Sequence, residues 1–127
     1  MAEHLIAAVG IPFAQASELQ RQILATFTFG MIFAEGQIRR LSPPDTHALT
    51  ICCLMDTFGY SAEQAGALST DLVIHSSSKD ENDTHKAIMH RGIDGHRQWQ
   101  AGQTAQLKEN VVGILNALGA GVPKAPA

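Results

Sequence analysis

The chain has 127 residues, 45% of them hydrophobic, and a formal net charge of −3 at pH 7. A chain of this size and apolar content buries about two-thirds of its unfolded surface, which excludes disorder over the whole length. The slightly acidic balance disfavours a nucleic-acid partner, and no stretch approaches the ~20 apolar residues that span a membrane.

The N-terminal stretch and the two cysteines favour a cytoplasmic location. The N-terminal stretch MAEHLIAAVGIPFAQ has no cationic start and only a short apolar run, so we expect no signal peptide. Cys52 and Cys53 are adjacent within an apolar helical pattern, where a bridge between them would strain the backbone. We therefore predict two reduced core cysteines in a cytoplasmic protein.

The first 40 residues predict two helices. A short one covers residues 2–9 and ends near Gly10 and Pro12. The second begins at Ser17, a good N-cap, and reaches about Arg40. Its broad apolar face predicts a central helix buried on several sides. The apolar residues on that face are Leu19, Ile23, Phe27, Phe29, Met31, Ile32, Phe33, Ala34 and Ile38.

The middle of the chain predicts two further helices. SPPD, residues 42–45, is typical of a helix start, with Ser42 as the cap and Pro43 at the first helical position. This third helix reaches about Phe58, and Gly59 can end it in a left-handed conformation. SAEQ, residues 61–64, is a capping box that opens the fourth helix. The residues predicted to point inward are Leu49, Cys52, Cys53, Met55 and Phe58, then Ala65, Leu68 and Leu72, with His75 as a further candidate.

The last third predicts a polar loop and two helices. The loop SSSKDEND covers residues 76–83, with Asn82 or Asp83 as the next cap. The fifth helix covers about 84–100, and the sixth covers about 104–118 with Gly119 after it. We expect residues 120–127 to form a loose tail. The sequence thus predicts an all-α fold, a compact bundle of five or six helices in one domain. The inward residues of the sixth helix are Leu107, Val111, Ile114, Leu115 and Leu118.

The stretch HRGIDGHRQWQAG, residues 90–102, combines two His, two Arg and the only Trp with three Gly. Ile88, Gly92, Gly95 and Trp99 share one face of a helical wheel. Each Gly costs a helix about 1 kcal/mol relative to Ala. We therefore predict that Gly92 and Gly95 are packing residues that let a neighbouring helix approach closely.

The opposite face of the same helix is polar. His90 and Asp94 are four residues apart, so their side chains can meet on one turn. The loop before the helix adds acidic side chains that can extend this surface and attract a cationic partner. We predict that the loop and this face form a partner-binding surface made by Asp80, Glu81, Asp83, His90, Asp94 and Arg97.

An alternative interpretation is a small helical metal-binding or hydrolytic domain. His90 could act as a general base oriented by Asp94, or the pair could form half of a metal site. However, the sequence has no HExxH motif, no set of Cys ligands, no nucleophile motif and no phosphate loop. We therefore predict no catalysis, no cofactor and no bound metal. The residues of this alternative are His85, His90, Asp94 and His96.

Three runs of the sequence resemble the Immunity protein 48 family of bacterial polymorphic toxin systems. They are ELQRQILATFTFGMIFAEG (18–36), LSPPDTHALTICCLMDTFGYSAEQA (41–65) and HRGIDGHRQWQAG (90–102). The most specific element is HRGIDG followed by an aromatic residue and a Gly. The family pattern has an aromatic residue near position 96, where this chain has His96.

The resemblance implies an all-α cytoplasmic protein that binds and neutralises a cognate protein toxin and so protects the producing cell. It implies neither catalysis nor a cofactor. Composition and charge predict no nucleic-acid partner and no membrane partner. A helical homodimer that binds some other protein is a third interpretation.

Overall fold

A computed structural model describes residues 17–119 of the chain. These residues form five helices: α1 (Glu18–Ile38), α2 (Pro43–Asp56), α3 (Ala62–Ser76), α4 (Thr84–Gln100) and α5 (Thr104–Ala117). They contain no strand, which confirms the all-α prediction. The helix predicted over 2–9 and the tail over 120–127 lie outside the described residues. Within 17–119, no helix has the length and apolarity to cross a membrane.

Side-chain caps fix where the helices begin. Ser17 and Ser61 each form a complete capping box with the Gln three residues later, as the sequence predicts for residues 61–64. The hydroxyl of Ser42 accepts from the backbone N–H of Asp45 at 3.2 Å. Because these bonds satisfy donors that the first helical turn leaves unpaired, they stabilise each start by about 0.5–2 kcal/mol. The predicted starts of α1, α2 and α3 are therefore confirmed.

The core lies around α1. Every residue from Ile23 to Ile32 is buried, and α1 contacts α2, α4 and α5. Phe27 and Met31 are fully buried, in one core cluster with Leu107, Val111 and Leu115 of α5 and Leu54 of α2. The prediction of a central helix buried on several sides is confirmed.

Helices α1 and α4 pack with their backbones in direct contact. A Cβ at position 92 would overlap the carbonyl oxygen of Phe27 and lie 3.2 Å from the Cα of Gly30. A Cβ at position 95 would lie 2.6 Å from Cζ of the buried Phe27 ring. The prediction that Gly92 and Gly95 are packing residues is confirmed, because a larger residue at either position would separate the two helices.

Two of the five residues predicted to point inward from the third helix do so, since Phe58 is buried and Cys53 packs against the core.

The other three residues of this face were predicted wrongly. Leu49, Cys52 and Met55 were expected inside, and all three are exposed, whereas Thr50 and Leu54 are buried. The segment LTICCLM is apolar almost all the way around the helix, so its periodicity does not select one face. Thr50 can be buried at little cost because its hydroxyl donates to the carbonyl four residues earlier, at 2.9 Å.

The apolar face of α1 is shorter than predicted. Leu19 and Ile38, in the first and last turns of α1, are 48% and 60% exposed. Phe33 is 38% exposed although the residues just before it are buried. These three side chains leave apolar surface of α1 exposed.

Candidate partner-binding surface

The α3–α4 loop carries three of the six predicted surface residues. Asp80 and Glu81 are exposed. Asp83 is the N-cap of α4, and its Oδ1 accepts from the backbone N–H of Lys86 at 3.1 Å. Its side chain is only 10% exposed. Asp83 therefore fixes the start of α4. Asp80 and Glu81 are the exposed carboxylates of the loop, and Oδ1 of Asp80 accepts from the backbone N–H of Asn82 at 2.9 Å.

His90, Asp94 and Arg97 lie on the outer side of α4, where all three are exposed. Asp94 forms an ion pair with Arg97 three residues later, and both side chains are more than half exposed. An exposed pair of this kind contributes only about 0–1 kcal/mol to stability. These three polar side chains are thus available for contact without loss of the fold.

An apolar groove lies beside His90. It has a volume of about 370 Å³ and is lined by both apolar and polar side chains. Phe33 and Ile93 contribute apolar surface, and Lys86 and His90 contribute polar groups. Phe33 also lines a second groove of about 280 Å³ between α1, α2 and α3. Phe33 and its two grooves were missed at the sequence level because Phe33 was expected in the core.

A shallow polar hollow lies between α4 and α5, and Asp94 and Arg97 line it. Here Arg91 donates to both the side chain and the backbone carbonyl of Asn110. The Asn110 amide donates in return to the backbone carbonyl of Arg91 at 3.0 Å. Arg91 thus joins α4 to α5 beside Asp94 and Arg97.

His96 belongs to the interior. It is 2% exposed, and its Nε2 donates to a carboxylate oxygen of Glu35 in α1. This hydrogen bond, against an opposing effect of burial, lowers the pKa of Glu35, and a further hydrogen bond from Arg39 acts in the same direction. The ring of His96 also lies 6.1 Å from that of Trp99, tilted by 46°. His96 therefore occupies an aromatic packing position and adds a polar link between α1 and α4.

A cluster of two histidines and one aspartate joins the end of α3 to the start of α4. Nδ1 of His75 donates to Oδ2 of Asp83 at 2.9 Å, and Nδ1 of His85 lies 4.0 Å from Oδ1. The two imidazole rings stack with centroids 4.1 Å apart and planes at 13°. The His75 hydrogen bond is the main cause that lowers the pKa of Asp83 to about 2.

The residues of the metal-binding or hydrolytic alternative do not converge. His96 is buried against Glu35, His85 stacks on His75, and Asp94 pairs with Arg97. Along α4, His85 and His96 are eleven positions apart, which corresponds to about 16 Å at 1.5 Å per residue. The four side chains therefore have no common centre, and no observation supports this alternative as a single site.

Comparison with known proteins identifies a family. Residues 1–119 match the family described as Immunity protein 48. No curated protein and no solved structure matches the chain. Because the match covers nearly the whole chain, it confirms the resemblance of the three sequence runs. The chain belongs to the Immunity protein 48 family.

Proposed function

We propose that this protein neutralises a cognate toxin by binding it, and that it acts without catalysis. Its family is one of immunity proteins. The observation that carries the proposal is the pairing of an exposed polar face on α4 with an apolar groove around Phe33. Tight protein interfaces combine apolar anchors, which supply most of the affinity, with a polar rim that fixes register.

The proposed surface has two parts. Asp80 and Glu81 of the loop, together with His90, Asp94 and Arg97 of α4, form the polar part. Phe33 and the groove beside it form the apolar part. Asp83 supports this surface from within, because its carboxylate is already bonded to the α4 backbone and to His75.

The proposed mechanism is steric and electrostatic blocking of the toxin. From its N-cap, where the loop ends, to Arg97, α4 extends for about 21 Å, so the loop and the outer side of the helix together suit one side of an interface of ordinary size. The exposed carboxylates of Asp80 and Glu81 favour a basic patch on the toxin. Such complementarity raises the association rate and weakens as salt increases.

The test measures toxin binding and cell protection with charge-reversal variants. Asp94→Lys, and the double variant Asp80→Lys with Glu81→Lys, should each weaken affinity for the cognate toxin by at least about tenfold. Asp71→Lys is the matched control, since Asp71 is an exposed acidic residue of α3 outside the proposed surface. All variants should melt within a few degrees of the wild type.

The outcomes separate binding from folding. If the two surface variants bind and protect like wild type while folded, the interface lies elsewhere, and the second groove between α1, α2 and α3 is the next surface to test. If Asp71→Lys weakens binding equally, the effect reflects net charge and not this surface. If wild type shows no binding to the toxin encoded beside it, the proposed function itself is wrong.

A further inference from the structure

The cluster of His75, Asp83 and His85 has the donor set of a transition-metal site. One ligand atom from each residue lies within 4.8 Å of the others, and the three side chains are partly buried. Two imidazole nitrogens and one carboxylate oxygen suit Zn²⁺ and neighbouring divalent ions, and suit Mg²⁺ or Ca²⁺ poorly. We propose that His75, Asp83 and His85 bind one zinc-class divalent ion at the junction of α3 and α4, with water completing the coordination.

The charge of the cluster favours a cation. Asp83 is anionic at neutral pH, and it is the N-cap whose backbone contact holds one oxygen in place. His75 lies in the last turn of α3, where the partial negative charge of the helix end also favours a cation. The ammonium of Lys86 donates to the backbone carbonyl of Ser78, so this neighbouring positive charge is held by another partner.

Ion binding requires a small rearrangement of the two rings. Ligands around a tetrahedral Zn²⁺ lie about 3.3–3.5 Å apart, given metal–ligand bonds of about 2.0–2.1 Å. Two stacked rings cannot both aim an in-plane nitrogen lone pair at one ion, so the stack must open. The rings have room to turn, since their side chains are 36% and 45% exposed. For Nδ1 of His75 to bind the ion, the neutral ring would carry its proton on Nε2 instead, and the hydrogen bond that Nδ1 now donates to Asp83 would be replaced by the bond to the ion.

This proposal departs from the sequence-based expectation of no metal. The sequence shows no third and fourth metal ligand beside His90 and Asp94. The fold supplies a different set of ligands, because the α3–α4 loop brings the start of α4 back beside His75 at the end of α3. Of the four residues in the earlier alternative, only His85 belongs to the cluster. The ion would tie together the two ends of the loop that carries Asp80 and Glu81.

The experiment titrates ZnCl₂ into the purified, untagged full chain, with MgCl₂ as the comparison ion. Calorimetry should show one zinc per chain, and zinc but not magnesium should raise the melting temperature. Heteronuclear NMR should show zinc-dependent shifts of the His75 and His85 ring signals. His75→Ala and His85→Ala should each weaken zinc binding by at least about tenfold.

Two further variants keep the test decisive. Asp83→Asn retains an N-cap residue of equal quality but removes the anionic ligand, so it should fold and bind zinc at least about tenfold more weakly. His47→Ala, a change of the half-buried histidine of α2 outside the cluster, should bind zinc like wild type. Wild type without stoichiometric zinc, or cluster variants that bind like wild type, would show that the cluster is only a hydrogen-bonded link between α3 and α4. Neither result depends on toxin binding.

Discussion

Gly92 of α4 lies directly against the carbonyl oxygen of Phe27 in α1, with no space between them for a side chain. This contact sets the distance between the two helices that share the largest interface of the bundle. We expect Gly92→Ala to destabilise the protein by about 1–3 kcal/mol, because the backbone of α1 must move although alanine favours helix. The measurement is chemical denaturation.

Gly66→Ala is the matched control for this first prediction. Gly66 lies within α3, and a Cβ there would meet nothing within 4 Å. This variant should be unchanged or more stable by up to about 1 kcal/mol. Equal stabilisation of both variants would mean that α1 and α4 are far enough apart to admit a side chain at position 92.

The pair of His96 and Glu35 predicts a pH dependence of stability. The folded-state pKa of Glu35 lies below its ordinary value of 4.5, so its contribution is fully present above that value and is lost as pH falls through the lowered pKa. Glu35→Gln should therefore lower the free energy of unfolding by about 1.5–3 kcal/mol at neutral pH. The difference from wild type should shrink below about pH 4.5. Denaturation of both proteins from pH 3 to 7 measures this, and a constant difference contradicts it.

The capping role of Asp83 predicts a ranking among substitutions. Asp83→Ala removes both the N-cap bond to Lys86 and the bond from His75. It should cost about 0.5–2 kcal/mol, whereas Asp83→Asn preserves the cap and should cost less. Thermal unfolding in the presence of a chelator isolates this effect from any bound ion. Equal loss in both variants would assign the stability to charge instead of capping.

The two cysteines should differ in reactivity. Cys52 is exposed, and Cys53 is partly buried. In the native protein, one thiol should react rapidly with a thiol reagent and the other several-fold more slowly, because access of the reagent limits the reaction. Cys52→Ser should remove the fast phase and leave stability nearly unchanged. Loss of the slow phase instead would reverse the assignment of the two residues.

Local signals in the sequence predicted the helices well. Ser17 and Ser61 with their partner Gln residues fix two helix starts. Gly59, three residues after the end of α2, has the left-handed conformation that was predicted for it, with a φ of 71°. Gly92 and Gly95 indicated which side of α4 faces a neighbouring helix. These features act over a few residues, so the sequence shows them directly.

Contacts between distant residues could not be predicted in the same way. His96 and Glu35 are 61 positions apart, and their pairing depends on how α1 crosses α4. The meeting of His75 and Asp83 depends on the path of the loop, and a polar loop sequence does not specify a path. For α2, the choice of Thr50 and Leu54 as the buried face depends on neighbouring helices, because its own sequence offers apolar residues on most sides.

The close contact between α1 and α4 divides α4 into two sides with opposite tolerance of mutation. Positions 92, 95 and 96 are enclosed by α1, so few residue types can occupy them. Positions 90, 94 and 97 face outward and can change with little effect on folding. A library randomised at the outward positions should therefore contain mostly folded proteins, and one randomised at the enclosed positions should not. The outward surface of α4 can therefore change in sequence while the interior of the bundle stays fixed.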